Sequence, residues 1–178
     1  MNIFHYVDIP QLDQLQNQLL EWLTEQSLLT RVISWQTVSI DQLLSDVPRL
    51  GAAVKSLGTP VMAAVIQRAA GFSGGVHIDS GLRPRLLIPV ARCQGSETRF
   101  FAQLGQGQYS QGLQGDRYRL IAADQWGQEL ARADLARPIV FDPQIAHGIW
   151  TNPQWTLPRI TLTVGFQELL VIKDQPDI

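Results

Sequence analysis

Cysteine and lysine are scarce in this sequence: Cys93 is the only cysteine, and Lys55 and Lys173 are the only lysines. A single cysteine excludes an internal disulfide and a zinc site built from several cysteines, and it indicates a reducing, cytoplasmic environment. Because lysine is rare, nearly all of the 14 basic residues are arginine, which suits bidentate binding of carboxylates.

Long apolar runs and excess positive charge are also missing. No run approaches the roughly 20 apolar residues that a membrane-spanning helix needs. The formal charge of −2 gives no general attraction to nucleic acid or to an anionic membrane surface. We therefore expect a small-molecule or peptide substrate as the partner rather than nucleic acid or a membrane. The sequence does not indicate an oligomeric state.

What the sequence does contain is a balance of 45% hydrophobic and 17% charged residues in 178, typical of one folded domain with a real core. Apolar residues at helical spacing predict a first helix from Pro10 to about Gln26. A second, weaker helix is predicted from a cap at Ser39 or Asp41 to Val47, where Pro48 interrupts it. The region 1–58 is therefore expected to be a helical buttress.

From Pro60 onward, short apolar runs are separated by turn residues, and this pattern predicts about eight β-strands. The runs are 61–70, 85–91, 99–104, 118–122, 138–141 and 159–166. Helices followed by strands predict a mainly β protein with N-terminal helices, a single sandwich or barrel whose core spans 60–166. The glycine-rich segment 105–115 lies between two of these runs and is interpreted as a long hairpin or a lid.

His77 and Asp79 are the first candidates for chemistry. In an extended segment residues i and i+2 face the same side, so this imidazole and carboxylate can converge on one metal ion. The alternative is a solvated loop histidine beside a turn aspartate.

His147 lies between two predicted core strands and is therefore placed to point inward. Two histidines and one carboxylate form the facial triad of non-haem iron(II) oxygenases, which leaves metal positions open. Alone, His147 could equally be a hydrogen-bonded core histidine. Arg159 begins the next strand, and a guanidinium among Ile160, Leu162 and Val164 would be costly unless it met an anion. Its alternative position is the barrel rim, with the charge in water.

The order His77-x-Asp79, His147 and Arg159 resembles the iron(II)/2-oxoglutarate-dependent oxygenases. Two stretches, Arg85-Leu-Leu-Ile-Pro-Val and His147-Gly-Ile-Trp, are similar to the aspartyl/asparaginyl β-hydroxylase branch of that superfamily. The chain departs from the best-known members of the branch by keeping a carboxylate at Asp79. It also has Leu87 where a histidine would be expected.

The resemblance implies a double-stranded β-helix, a jelly-roll or cupin-like barrel. It implies His77, Asp79 and His147 as catalytic metal ligands, Arg159 as the partner of the distal carboxylate of 2-oxoglutarate, and Arg85 as a second anion contact. The implied cofactors are Fe(II), 2-oxoglutarate as co-substrate, and O2. The implied activity is a dioxygenase that hydroxylates a C–H bond of an amino acid, a peptide or protein side chain, or a small metabolite.

Two other readings of the same residues stay open. The first is a non-catalytic cupin-type barrel that binds a metal or a small molecule without turnover. The second is an interaction module that has lost its iron, although all three ligands are present. Five aromatic residues are predicted near the mouth of the site, either to shield it or simply to pack: Phe100, Phe101, Tyr109, Trp150 and Trp155.

Overall fold

A computed structural model of the chain describes residues 3–30, 34–79, 84–111 and 117–169. In these ranges the helices are α1 (Leu12–Glu25), α2 (Ile40–Asp46) and α3 (Pro48–Leu57). The strands are β1 (Phe4–Tyr6), β2 (Ser34–Val38), β3 (Gly58–Arg68), β4 (Ser73–Asp79), β5 (Arg85–Ala91), β6 (Glu97–Gln103), β7 (Gln108–Gln111), β8 (Arg117–Leu120), β9 (Trp126–Asp134), β10 (Ile139–Phe141), β11 (Ala146–Trp150) and β12 (Arg159–Leu169). The prediction of a mainly β protein with helices near its N-terminal end is confirmed.

The helices form where the apolar spacing predicted them, with one exception at Pro48. Helix α2 begins after Ser39, whose Oγ accepts a hydrogen bond of 3.3 Å from the backbone N–H of Gln42. Pro48 was predicted to interrupt the second helix, and α2 does end before it, at Asp46; the exception is that Pro48 then begins a third helix, α3, that was not predicted. Proline suits this position because the first turn of a helix does not use its N–H groups.

The N-terminal region also supplies two strands that its helical pattern did not predict. Strand β1 pairs antiparallel with β10, and β2 pairs antiparallel with β3. Both therefore extend one sheet of the core, so 1–58 is more than a helical buttress.

All strands of the first sheet are antiparallel, in the order β1-β10-β5-β12-β3-β2. One face of this sheet packs against the three helices through alternate strand residues, which include Val65, Leu86, Ile88, Ile160, Leu162 and Val164. The opposite face of the sheet turns toward the second sheet.

The second sheet is also antiparallel, in the order β7-β8-β4-β11-β6-β9. Its inner face meets the first sheet in a core that includes Ile66 and Leu87 on one side and Phe100 and Ala133 on the other. A separate apolar cluster, which includes Val76, Phe101 and Trp150, covers part of its outer face. Among the described residues the two sheets stay separate, with edges at β1, β2, β7 and β9.

The described part of the predicted lid contains ordered pairing. Residues Gln108–Gln111 form β7, which pairs with β8 as a hairpin. Gly112 and Gly115, on which the lid prediction also relied, lie outside the described residues. In the described ranges, no helix is long and apolar enough to cross a membrane.

Candidate metal centre

His77 and His147 lie opposite each other on the two central strands of the second sheet. Strand β4 pairs antiparallel with β11, and the two histidines are partners in that register. Their ring centroids are 4.5 Å apart. Asp79 follows His77 by two residues and so faces the same side. One atom from each of the three side chains lies within 4.8 Å of the others, so the predicted triad converges on one point.

Glycines shape the backbone beneath this triad. Gly74 and Gly75 have φ angles of 95° and 64°, a left-handed region that costs residues with a Cβ free energy. On the facing strand, a Cβ on Gly148 would lie 3.0 Å from the carbonyl oxygen of Gly74, so the strands approach closely only because it is absent. The Gly74-Gly75 pair before His77 thus allows the turn that aims the imidazole inward.

Backbone carbonyls orient both imidazole rings. His77 Nδ1 lies 2.6 Å from the oxygen of Gly75, and His147 Nδ1 lies 2.8 Å from the oxygen of Ile145. A carbonyl oxygen can only accept a hydrogen bond, so each Nδ1 carries the proton and donates it. In the neutral form of either ring, Nε2 then holds the lone pair. Metal-ligating histidines are commonly fixed in this way.

The contact between His77 and Asp79 requires a cation. His77 Nε2 lies 3.3 Å from Asp79 Oδ1. With the ring neutral and Nδ1 protonated, this contact would place a nitrogen lone pair against a carboxylate oxygen, which is repulsive. A proton on Nε2 or a metal ion between the two atoms removes the repulsion. The separation matches the roughly 3 Å expected between neighbouring ligand atoms with bonds of about 2.1 Å, so the residues fit a metal ion.

The ionisation states in the site favour metal binding. Burial would raise the pKa of the Asp79 carboxyl, but its contact with His77 and the nearby charge of Arg85 contribute to holding the pKa at about 2. Burial lowers the pKa of His147 to about 4. At neutral pH the site therefore offers an ionised carboxylate and a neutral His147 imidazole, the forms that bind a divalent metal.

Arg85, predicted as a second contact for an anionic ligand, lies beside Asp79. Its Nε is 3.7 Å from Asp79 Oδ2, and its Nη1 is 2.6 Å from the sulfur of Met62. The guanidinium thus already has a carboxylate next to it within the protein. A direct contact between Arg85 and a co-substrate stays a prediction.

Arg159 is the largest fully buried side chain of the chain's described part, with 1% of its surface exposed. The structure corrects the predicted surroundings of Arg159. Ile160, Leu162 and Val164 lie on the face of the sheet that packs against the helices, so they do not surround the guanidinium. Arg159 shares the inner face with Thr161, whose Oγ1 accepts a hydrogen bond of 3.1 Å from Nη2.

Two nitrogens of this guanidinium, Nε and Nη1 of Arg159, are buried without a hydrogen-bond partner. Burial lowers the pKa of Arg159 to about 10, so the group still carries its charge at neutral pH. A buried cation with two unsatisfied donors is unfavourable unless an anion completes it. A carboxylate would supply the negative charge that this guanidinium lacks.

Two further residues near the triad were missed at the level of the sequence. Tyr118 is the register partner of Asp79, and its ring centroid lies 5.8 Å from that of His77. Arg68 is the register partner of Arg159. Both lie in runs that were predicted as strands, so alternation along each strand could have predicted which face these side chains take. The pairing of those strands could not be predicted from the sequence.

Of the five aromatic residues predicted near the mouth, Phe100 contacts the site: its ring centroid lies 6.2 Å from that of His147. Phe101 and Trp150 are 5.7 Å apart in the cluster on the outer face of the second sheet. The Trp155 indole donates to the carbonyl of Gln94, and 80% of Tyr109 is exposed. For Phe101 and Trp150 the packing interpretation is therefore the right one.

Comparison with known proteins gives a fold but no family. No protein-family model matches the chain, and no curated protein matches it. A solved structure described as a non-heme monooxygenase, ThoJ in its apo form, aligns over 92% of this chain and 73% of its own chain, with a TM-score of 0.51 and 13% identity. The chain has the fold of that non-heme monooxygenase. An identity this low shows the fold alone.

Proposed function

We propose that this protein is an iron(II)- and 2-oxoglutarate-dependent oxygenase that hydroxylates a C–H bond of an amino acid, a peptide or protein side chain, or a small metabolite. The observation that carries the proposal is the convergence of His77, Asp79 and His147, with a histidine nitrogen and a carboxylate oxygen 3.3 Å apart and in need of a cation. Two histidines and one carboxylate are the ligand set of non-haem iron(II) oxygenases, and the fold of ThoJ supports the same class.

In this proposal each residue has a defined task. His77, Asp79 and His147 hold the iron, and the carbonyls that accept from the two Nδ1 atoms keep both rings in the required orientation. Arg159 binds the distal carboxylate of 2-oxoglutarate, which supplies the counter-charge that the buried guanidinium lacks. Phe100 and Phe141, whose ring centroids lie 6.2 Å and 4.9 Å from that of His147, exclude water from one side of the centre.

Iron(II), 2-oxoglutarate and O2 together supply the oxidising chemistry, while the protein binds, orients and shields. The two sheets are proposed to be the halves of a double-stranded β-helix, with the aspartyl/asparaginyl β-hydroxylases as the branch most similar in sequence. Arg85 is proposed to keep Asp79 ionised and aimed at the metal.

A non-catalytic cupin-type barrel remains the second candidate because it would use the same three ligands. Arg159 favours the oxygenase, since a barrel that only binds a metal gains nothing from a buried guanidinium with two unsatisfied nitrogens. The two candidates differ in whether 2-oxoglutarate interacts with the metal-loaded protein.

The decisive experiment is anaerobic addition of Fe(II) and then 2-oxoglutarate to the purified protein, followed by visible absorption spectroscopy. We expect the weak charge-transfer band of an iron–2-oxoglutarate chelate, present in wild type and absent in His147→Gln. Asp124→Asn, an exposed carboxylate outside the site, is the matched control and should keep the band. Metal binding without any effect of 2-oxoglutarate would favour the cupin-type barrel, and failure to bind Fe(II) would reject the oxygenase.

A further inference from the structure

Arg68 is a second arginine on the inner face of the first sheet, and neither the metal nor the co-substrate accounts for it. It is the last residue of β3 and the register partner of Arg159 on β12. Residues 64, 66 and 68 alternate toward the inner face, where Ile66 belongs to the core between the sheets. Two guanidiniums therefore project from neighbouring positions of adjacent strands, an arrangement of like charges that is unfavourable by itself.

The contacts of Arg68 are with neutral groups. Its Nη1 donates 3.0 Å to the carbonyl of Gln67, and its guanidinium carbon lies 5.5 Å from the centre of the Phe72 ring. Among the residues that the structure describes, no salt bridge includes Arg68 or Arg159. Arg68 is half-buried, so its charge is only partly hydrated.

Phe72 connects Arg68 to the segment that holds His77. The Phe72 ring beneath Arg68 lies close to Gly75, since a Cβ on Gly75 would be 3.4 Å from the ring. The carbonyl oxygen of Gly75 in turn accepts a hydrogen bond from His77 Nδ1. The ring centroid of Tyr118 lies 5.8 Å from that of His77.

Within the described part of the chain, the charges around the site leave Arg68 without a counter-charge. Asp79 lies beside Arg85, and the proposed 2-oxoglutarate would meet Arg159. The charges of iron(II) and dianionic 2-oxoglutarate cancel. Once both are bound, the three guanidiniums of Arg68, Arg85 and Arg159 would therefore still face only the carboxylate of Asp79. A further anion near Arg68 would reduce this excess and use its exposed donors.

We propose that Arg68 binds a carboxylate group of the substrate beside the metal centre, so that the substrate is a carboxylate-bearing small molecule or side chain. The proposal rests on the proposed function and narrows its substrate class. Phe72 contacts the Arg68 guanidinium and lies close to Gly75, whose carbonyl holds His77, so the bond to be oxidised would lie on the His77 side of the bound carboxylate.

The test uses trifluoroacetate as a carboxylate probe and fluorine NMR as the readout. Mn(II) replaces iron, and 2-oxoglutarate is kept saturating so that Arg159 is occupied. We expect the probe signal to be broadened strongly by the nearby paramagnetic ion, and the neutral analogue trifluoroacetamide to be broadened much less. In Arg68→Gln, affinity for trifluoroacetate should fall at least about tenfold, while Mn(II) and 2-oxoglutarate binding stay close to wild type.

Two further variants complete the design. Arg132→Gln removes an arginine from the surface, where 52% of its side chain is exposed, and should leave the probe's affinity unchanged. Arg68→Lys keeps the charge and should retain part of the binding. It also covers the case in which Arg68→Gln does not fold.

The proposal is overturned if wild type does not discriminate between acid and amide, or if broadening persists in Arg68→Gln because the probe binds the metal itself. Loss of 2-oxoglutarate binding in Arg68→Gln would instead make Arg68 part of the co-substrate site. Measurements on the metal-free protein distinguish failure of this proposal from failure of the proposed function. If Mn(II) does not bind but acid-selective line broadening still depends on Arg68, the oxygenase fails and the anion site stands.

Discussion

Replacing Arg159 by methionine should change stability and ligand binding in opposite directions. Methionine fills a similar length without a charge. In the ligand-free protein, the change removes two buried unsatisfied nitrogens, each worth about 1–3 kcal/mol, and breaks one hydrogen bond to Thr161, worth about 0.5–1.5 kcal/mol. It also removes the like-charge pair with Arg68. We expect the free energy of unfolding to rise by roughly 0.5–5.5 kcal/mol, the difference between the nitrogen and hydrogen-bond contributions.

The same replacement should weaken 2-oxoglutarate binding by about 2–5 kcal/mol, because it removes a desolvated charge pair. Urea unfolding of the metal-free protein measures the first effect, and the thermal shift caused by 2-oxoglutarate with Mn(II) measures the second. A gain of 1 kcal/mol corresponds to roughly 2–4 °C for a chain of this size.

Arg132→Met is the control, since changes at an exposed site usually stay within about 0.5 kcal/mol. The reasoning is refuted if Arg159→Met lowers the unfolding free energy while the effect of 2-oxoglutarate survives. That result would mean that the guanidinium is a structural element and not part of a ligand site.

Three other predictions follow from the geometry. Asp79→Asn should lower Mn(II) affinity at least about 100-fold by calorimetry, while Asp124→Asn leaves it unchanged; equal affinities would remove Asp79 from the ligand set. Gly127→Ala should cost about 1–3 kcal/mol in urea unfolding, because the new Cβ would lie 2.4 Å from the carbonyl oxygen of Ala102. If the hairpin that contains 106–111 covers the site, its amides should exchange more slowly once Mn(II), 2-oxoglutarate and a substrate analogue are bound; unchanged exchange argues against a lid.

Local patterns were enough to predict that the three candidate ligands converge. The spacing of His77 and Asp79 in an extended segment fixes them on one face whichever strands pair around them. The strand flanks of His147 predicted that it points inward, and it is 5% exposed. These inferences succeed because they depend on residues only a few positions apart.

The surroundings of Arg159 were beyond the sequence because they depend on long-range pairing. Its neighbour Arg68 is set by the register of β12 on β3, two strands widely separated along the chain. The same holds for β1 and β2, which are short and become strands through pairing with β10 and β3. Alternation gave the face of each residue but not the identity of its partner.

The direct pairing of His77 with His147 makes the candidate metal centre sensitive to strand alignment. A shift of one residue in β11 would turn His147 outward and bring Gly148 to the inner face, where it offers no ligand. Of the alignments open to these two strands during folding, only the native one places both imidazoles on one ion. A metal ion that binds early in folding would therefore stabilise chains in which these two strands are correctly aligned. Misaligned strands would gain no such stabilisation and could separate and pair again.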